Sequence, residues 1–260
     1  TADLNDVNMI DPFHLEAYGE TTVNYNRDVE AFPVLVAIFE KILGHCPYKS
    51  PTDMGVNMVG NCIVNDENAC FASRQEIIRR YYTALGNLKK GKAADEEVFK
   101  LEMLMKKAGV KPEDRAVVAP ALARAEQTHG PAAAMELPDG TIITGKTSDL
   151  LGASSALLLN ALKALAGIPE DLHLIAPAAL DPIQHLKVDH LGNRNPRLHT
   201  DETLIALSIS AATNPTAECA MEQLDKLRGC EVHSTVLLSS VDVNMFRRLG
   251  VNLTCEAKYE

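Results

Sequence analysis

The chain changes texture at about residue 116. Before it, apolar residues recur mostly at helical spacing; after it, short apolar or β-branched runs alternate with amphipathic stretches. In the first part, Asp28 and Glu30 precede an apolar run from Phe32 to Leu43 stopped by Gly44, which predicts a helix that Pro33 either opens or kinks. Cys46 to Asn61 is rich in turn residues and reads as an irregular loop with room for one short strand. Asn65 or Asp66 can then cap a helix running to Gly91. A further helix carries Asp95, Glu96 and Glu97 in its first turn, Val98, Leu101, Leu104 and Ala108 on one face, Lys106 and Lys107 in its last turn, and Gly109 as its stop.

In the second part, a helix from Val117 to Thr128 leads into Ala132–Leu137 and Thr141–Thr144, which flank Pro138-Asp139-Gly140 and predict a β-hairpin. The stretch from about Ser148 to Ala166 is apolar on nearly every side, so it predicts a helix buried against a sheet on more than one face. A strand over Leu172–Ala176, a helix after Pro177, two helices split at Asn214-Pro215, a Val232–Leu238 strand, a Val241–Leu249 helix and a Val251–Cys255 strand complete the order. The expected fold is α/β: a mainly helical subdomain over residues 1–115, with an irregular loop near 46–65, and an α/β subdomain over 116–260.

Composition narrows the classes of function. A formal charge of −10, with basic clusters no larger than Arg79-Arg80 and Arg247-Arg248, repels phosphate backbones and anionic lipids, so neither nucleic acid nor membrane is an expected partner. With 46% hydrophobic residues in 260, the chain can bury a substantial core. The cysteines Cys46, Cys62, Cys70, Cys219, Cys230 and Cys255 show no close pairing, which predicts reduced thiols and a cytoplasmic location. Thr1 is not an initiator methionine, and the first residues read like the middle of an element, so a preceding segment is expected.

Several motifs carry candidate chemistry. Gly140 to Thr147 matches the phosphate-loop expression G-x-x-x-x-G-K-[ST], but Thr141-Ile142-Ile143-Thr144 is β-branched and follows a hairpin turn, where a phosphate loop must curl its amides around one anion. A plain strand-to-helix turn fits better; its helix start can still attract an anion through free amides and Lys146. Zinc has no support, since neither H-E-x-x-H nor C-x-x-C occurs and His185 and His190 do not share a helical face. Arg194, Arg197 and His199, with Lys187 nearby, form a cationic group in an acidic chain. They either clamp an anionic ligand or pin the loop by pairing with Asp189, Asp201 and Glu202, with Thr200 capping the next helix. Asp53, Asn57 and Asn61 can line a polar site or satisfy their own loop.

Four runs carry a family resemblance: Thr1 to His14 (TADLNDVNMIDPFH), Tyr48 to Met58 (YKSPTDMGVNM), Gly145 to Ser155 (GKTSDLLGASS) and Arg194 to Glu202 (RNPRLHTDE). On them the chain resembles the carboxy-terminal half of a bacterial family known as domain of unknown function 1846. The resemblance implies an amino-terminal half, absent here, with its own phosphate-loop-like segment. It also implies a sheet domain similar to the three-layer α/β/α, cytidine-deaminase-like fold. The positions matching the zinc ligands of deaminases, within Lys146–Ser155 and at Pro177-Ala178-Ala179-Leu180, offer no ligand set, so a zinc deaminase is not implied.

Two functions follow as expectations. One is a ligand-binding or catalytic module for a small anionic, phosphorylated molecule, working with the absent half. In it Lys146, Thr147 and Ser148 hold the anion at a helix start, Arg194, Asn195 and Arg197 complete the binding set, and Asp149 and His199 are the acid/base candidates. The other is a non-catalytic scaffold that self-associates as a homo-oligomer or docks the absent half through apolar stripes of the helical part.

Overall fold

The structure is a computed structural model that describes residues 26–48 and 66–259. The run over residues 1–14, Cys62, and most of the expected 46–65 loop with Asp53, Asn57 and Asn61 lie outside the described residues. Two compact units result, one holding the described residues up to Ala84 with Ala93–Asp114, the other Leu85–Lys92 and the chain from Arg115 onward.

The first unit is helical. Helix α1 spans Asn26–Leu43 and contains Pro33 in its interior, while α2 begins at Asp66 and runs to Lys89. Ile77, Ile78 and Tyr82 form the buried side of α2. Helix α3, Asp95–Ala108, follows its sequence pattern closely: Val98, Leu101 and Leu104 are buried, and Gly109 stops it in the left-handed region at φ 64°.

The second unit is built on a four-stranded mixed sheet of order β2-β1-β3-β4. Strands β1 (Ala132–Glu136) and β2 (Ile142–Lys146) form the expected hairpin. Its turn closes locally: Asp139 Oδ1 accepts from the Thr141 amide at 2.9 Å, and Gly140 supplies φ 83°. Strand β3 (Glu231–Ser234) pairs antiparallel to β1, and β4 (Asn252–Cys255) runs parallel to β3.

Both sheet faces are covered. Ala133 and Met135 of β1 face a core with Leu157, Leu158 and Leu162 of α5 (Ala153–Leu165), whereas Ala134 faces Val117 and Ala121, the latter in α4 (Val118–Thr128). The small β1 side chains let both layers approach closely. Gly145 of β2 takes this furthest: a Cβ there would lie 2.5 Å from Leu157 Cα and 2.8 Å from the Ala153 carbonyl, so α5 crosses β2 at the one residue without a side chain.

Two local expectations are corrected. Residues 172–176 form no strand; Leu174 and Ile175 are buried, but Lys163 of α5 donates to the carbonyls of Glu170 (2.5 Å) and Leu172 (2.9 Å), satisfying this backbone from a side chain instead of a ladder. Helix α5 begins at Ala153, not near Ser148, because residues 148–151 close on themselves: the Ser148 amide donates to Leu151 O and the Leu151 amide to Ser148 Oγ.

The remaining elements are α6 (Pro177–His185), a π-helical turn (Leu186–His190), α7 (Thr200–Ala211), α8 (Pro215–Met221) and α9 (Ser240–Arg248). Asn214 separates α7 from α8, its side chain accepting from the Thr216 amide. No described helix is long and apolar enough to cross a membrane.

Candidate functional site

The glycine-rich run Gly140–Thr147 is mostly strand. Thr144, Gly145 and Lys146 pair with Ala134, Ala133 and Ala132, and the Thr147 amide donates to Pro131 O, so these backbone groups are committed to the sheet. Lys146, Thr147 and Ser148 therefore do not start a helix. The first-turn amides of α5 belong to Ala153, Ser154 and Ser155.

The two polar stretches singled out in the sequence do meet. Leu198 is the hinge pin: its amide donates to Leu150 O at 3.0 Å, and its carbonyl accepts from the Gly152 amide (3.3 Å) and from Ser155 Oγ (2.9 Å). Its side chain sits in the core with α5, which fixes the loop by burial as well as by hydrogen bonds. One residue earlier, Arg197 Nε donates to Ser148 O at 2.9 Å, joining the serine and the arginine of the predicted site. Asn195 turns this loop by accepting from the Arg197 amide at 3.1 Å. Lys146, Asp149 and Arg194 are exposed and have no side-chain hydrogen bond or ion pair among the described residues.

One residue later, His199 occupies the N-cap of α7, displacing the expected cap Thr200 into the first turn. His199 Nδ1 lies 2.9 Å from Asp242 Oδ2. Asp242 is buried near the start of α9, and its other oxygen accepts from both the amide and the hydroxyl of Thr200, each at 2.9 Å. Ser239, the N-cap of α9, donates its hydroxyl to Asp242 Oδ2 at 2.8 Å and lies 3.5 Å from His199 Nδ1.

The starts of α5, α7 and α9 thus converge on residues 198–200, each contributing partial positive charge. Burial alone would push the Asp242 carboxyl up. Its bonds from His199, Thr200 and Ser239 reverse that and hold it below the ordinary carboxylate range. The same carboxylate, accepting from Nδ1, holds His199 above its ordinary 6.5 against the opposing effects of burial and Lys187. With Nδ1 engaged, Nε2 is left without a partner among the described residues, an imidazole fixed in one orientation and able to give or take a proton at a known atom.

Asp242, Ser239 and the inward role of Thr200 lay outside the predicted site. A signal existed: Ser239-Ser240-Val241-Asp242 has the S-x-x-[DE] form of a helix start, which places an acid at the head of α9, although the pattern cannot reveal a histidine 43 positions away. Lys187 is not part of an exposed clamp; of the acids expected to pin this loop it pairs with Glu202, while the Asp189 carboxylate meets His185 at 3.0 Å. Its Nζ donates to Glu202 Oε2 and to Arg197 O, each at 2.7 Å. Among the described residues no three His, Cys, Asp or Glu side chains are grouped as a metal site.

Residues 113–260 match the family model described as domain of unknown function DUF1846, C-terminal, and residues 1–109 match its counterpart, domain of unknown function DUF1846, N-terminal. The chain belongs to the DUF1846 family. Resemblance to the carboxy-terminal half alone was too narrow, because the first 109 residues carry the amino-terminal model. The chain is 58% identical over 260 residues to the UPF0371 protein of Streptococcus thermophilus (strain ATCC BAA-491 / LMD-9), covering all of this chain and 53% of that protein. It is 57% identical over 259 residues to the UPF0371 protein cu0538 of Corynebacterium urealyticum, covering 100% of this chain and 52% of the other. A UPF0371 protein of Streptococcus pneumoniae (strain JJA) is 56% identical over 260 residues, with 53% of its length covered. The chain thus spans about half the length of these curated relatives.

Proposed function

We propose that this DUF1846 chain is a ligand-handling, catalytic module for a small anionic molecule, in which His199 exchanges a proton at Nε2 and Asp242 fixes its tautomer. The observation carrying this reading is the 2.9 Å bond between His199 Nδ1 and a buried Asp242 that is already saturated with donors. Such an aspartate is a poor proton acceptor and a good orienting group. The start of α5, which carries no side-chain cap and no acid in its first turn, favours negative charge on the guest, and Arg197 and Ser148 border the same loops. Arg194, Asn195, Lys146, Thr147 and Asp149 stay in the proposal as flanking groups that meet the guest from the exposed side. A region corresponding to the part of the relatives that this chain does not span would supply the remainder of the substrate contacts.

The cytidine-deaminase-like layering and a cytoplasmic setting belong to the same reading. Helices on both sheet faces and the strand order β2-β1-β3-β4, with β1 antiparallel to both its neighbours, support the first; the free thiols Cys46, Cys219, Cys230 and Cys255 suit a reducing compartment. The test is a thermal-shift series with inorganic phosphate and phosphorylated metabolites on wild type, His199→Ala and Arg197→Ala. A ligand that stabilises wild type and loses its effect in both variants is expected; equal stabilisation of all three rejects the site.

A second reading, self-association or docking of the absent half, is favoured by one feature. Val34, Ile38 and Ile42 lie four residues apart along α1 and are all exposed. Light scattering at several concentrations tests it, and a strict monomer counts against it.

A further inference from the structure

Lys187 reverses the ordinary pattern of its neighbours. In the π-helical turn Leu186–His190 the lysine is 2% exposed, while Leu186 is 51% and Val188 37% exposed. A turn that sends a charge inward and two aliphatic side chains outward is not explained by core formation, since the apolar neighbours would gain more from burial and lose less. The π geometry is what turns Lys187 inward: the Leu191 amide reaches back five residues to Leu186 O at 3.1 Å, and the Asn193 amide closes on Lys187 O at 3.0 Å.

The buried ammonium grips both sides of one residue. It donates to Arg197 O, two positions before His199, and to Glu202 Oε2, and that same oxygen accepts from the His199 amide at 2.8 Å. One carboxylate oxygen therefore links Lys187 to the backbone of His199. His199 is then held at two places, its Nδ1 by Asp242 of α9 beside the N-cap Ser239 and its main-chain amide by Glu202, which Lys187 holds.

We infer that Lys187 and Glu202 are positioning residues for His199, an ion pair of a buried lysine with a half-buried glutamate that sets the place and the electrostatic surroundings of the imidazole. This rests on His199 being the working group proposed above. Stability alone is a weak reason for such a pair, because an apolar pair of similar volume generally serves a core as well. The charged groups facing His199 are Asp242 from α9, Lys187 from the π turn and Glu202 from α7, and removing either member of the pair changes the local field with opposite sign.

The experiment is an NMR pH titration of His199 in the full chain without ligand, for wild type, Lys187→Met, Glu202→Gln and Lys187→Arg, with melting temperatures in parallel. Loss of the lysine charge is expected to raise the His199 midpoint and loss of the glutamate charge to lower it, each by at least about 0.3 pH unit. Lys187→Arg is expected to bring the midpoint back towards wild type. Midpoints unchanged in the folded variants, with only the melting temperature reduced, would mean a purely structural pair and overturn the inference. Glu202→Gln keeps volume and hydrogen bonding, so it decides the matter if Lys187→Met does not fold. Inorganic phosphate is then added to wild type: absence of any phosphate response would sink the proposed site while leaving the ligand-free titration standing on its own.

Discussion

Leu157 rests directly on Gly145, helix backbone against strand backbone, with no side chain between them. A methyl at 145 meets main-chain atoms of Leu157 and Ala153 that cannot rotate away, so α5 must lift from the sheet. Gly145→Ala is expected to destabilise the protein by about 3 kcal/mol, measured by urea denaturation. A loss under about 0.5 kcal/mol, the range of neutral surface changes, would show that the layers are looser than described.

Asp242→Asn should lower the proton affinity of His199. In wild type the folded-state value is raised above 6.5, so this group contributes stability that is fully present below 6.5 and is lost as pH rises through the raised value. The variant is expected to lose that falling slope and about 3 kcal/mol of stability, because four donors face a weakened acceptor. Denaturant midpoints from about pH 5.5 to about pH 8.5, roughly one unit below to two units above the ordinary histidine value, supply the check.

His233 should give the opposite slope. It is fully buried on β3, with Nδ1 2.9 Å from Thr254 Oγ1 and Nε2 3.3 Å from Glu256, and burial holds it below 6.5. Its contribution is therefore present above 6.5 and lost as pH falls through the lowered folded value, since the unfolded chain takes the proton first. His233→Gln is expected to flatten the acid limb of the stability profile. An acid limb as steep as wild type would assign that loss to other groups.

Thiol labelling should separate the cysteines by environment. Burial pushes Cys230 and Cys255 up to about 11, leaving almost no thiolate at neutral pH, whereas Cys219 is exposed. Mass spectrometry after brief iodoacetamide treatment is expected to find Cys219 modified in the native protein and Cys230 and Cys255 only after denaturation. Native modification of Cys230 would contradict its packing in the core.

What the sequence disclosed was mostly what neighbours in the chain decide. The hairpin was legible because Asp139 and Gly140 close it within three residues, and α3 because its acids, apolar face and Gly109 are all local. Leu172–Ala176 looked like a strand because its apolar run suits one, and what replaces the ladder is an ammonium group reaching across from α5. The same distance limit applies to function. Ser148, Arg197 and His199 could be picked out as polar residues in turn-rich stretches, but the partner of His199 is 43 positions away, and Lys187 points inward only because of a π turn that no residue pattern announces.

The anchoring of Leu198 has a consequence for how a guest would be received. Its amide, carbonyl and side chain are all engaged, so the histidine beside it inherits the stillness of the core and not the wandering of a surface loop. The ordering entropy of that ring is met during folding, before any encounter. Association at this place should therefore be quick and nearly free of structural rearrangement, with selectivity arising from shape and charge already in place.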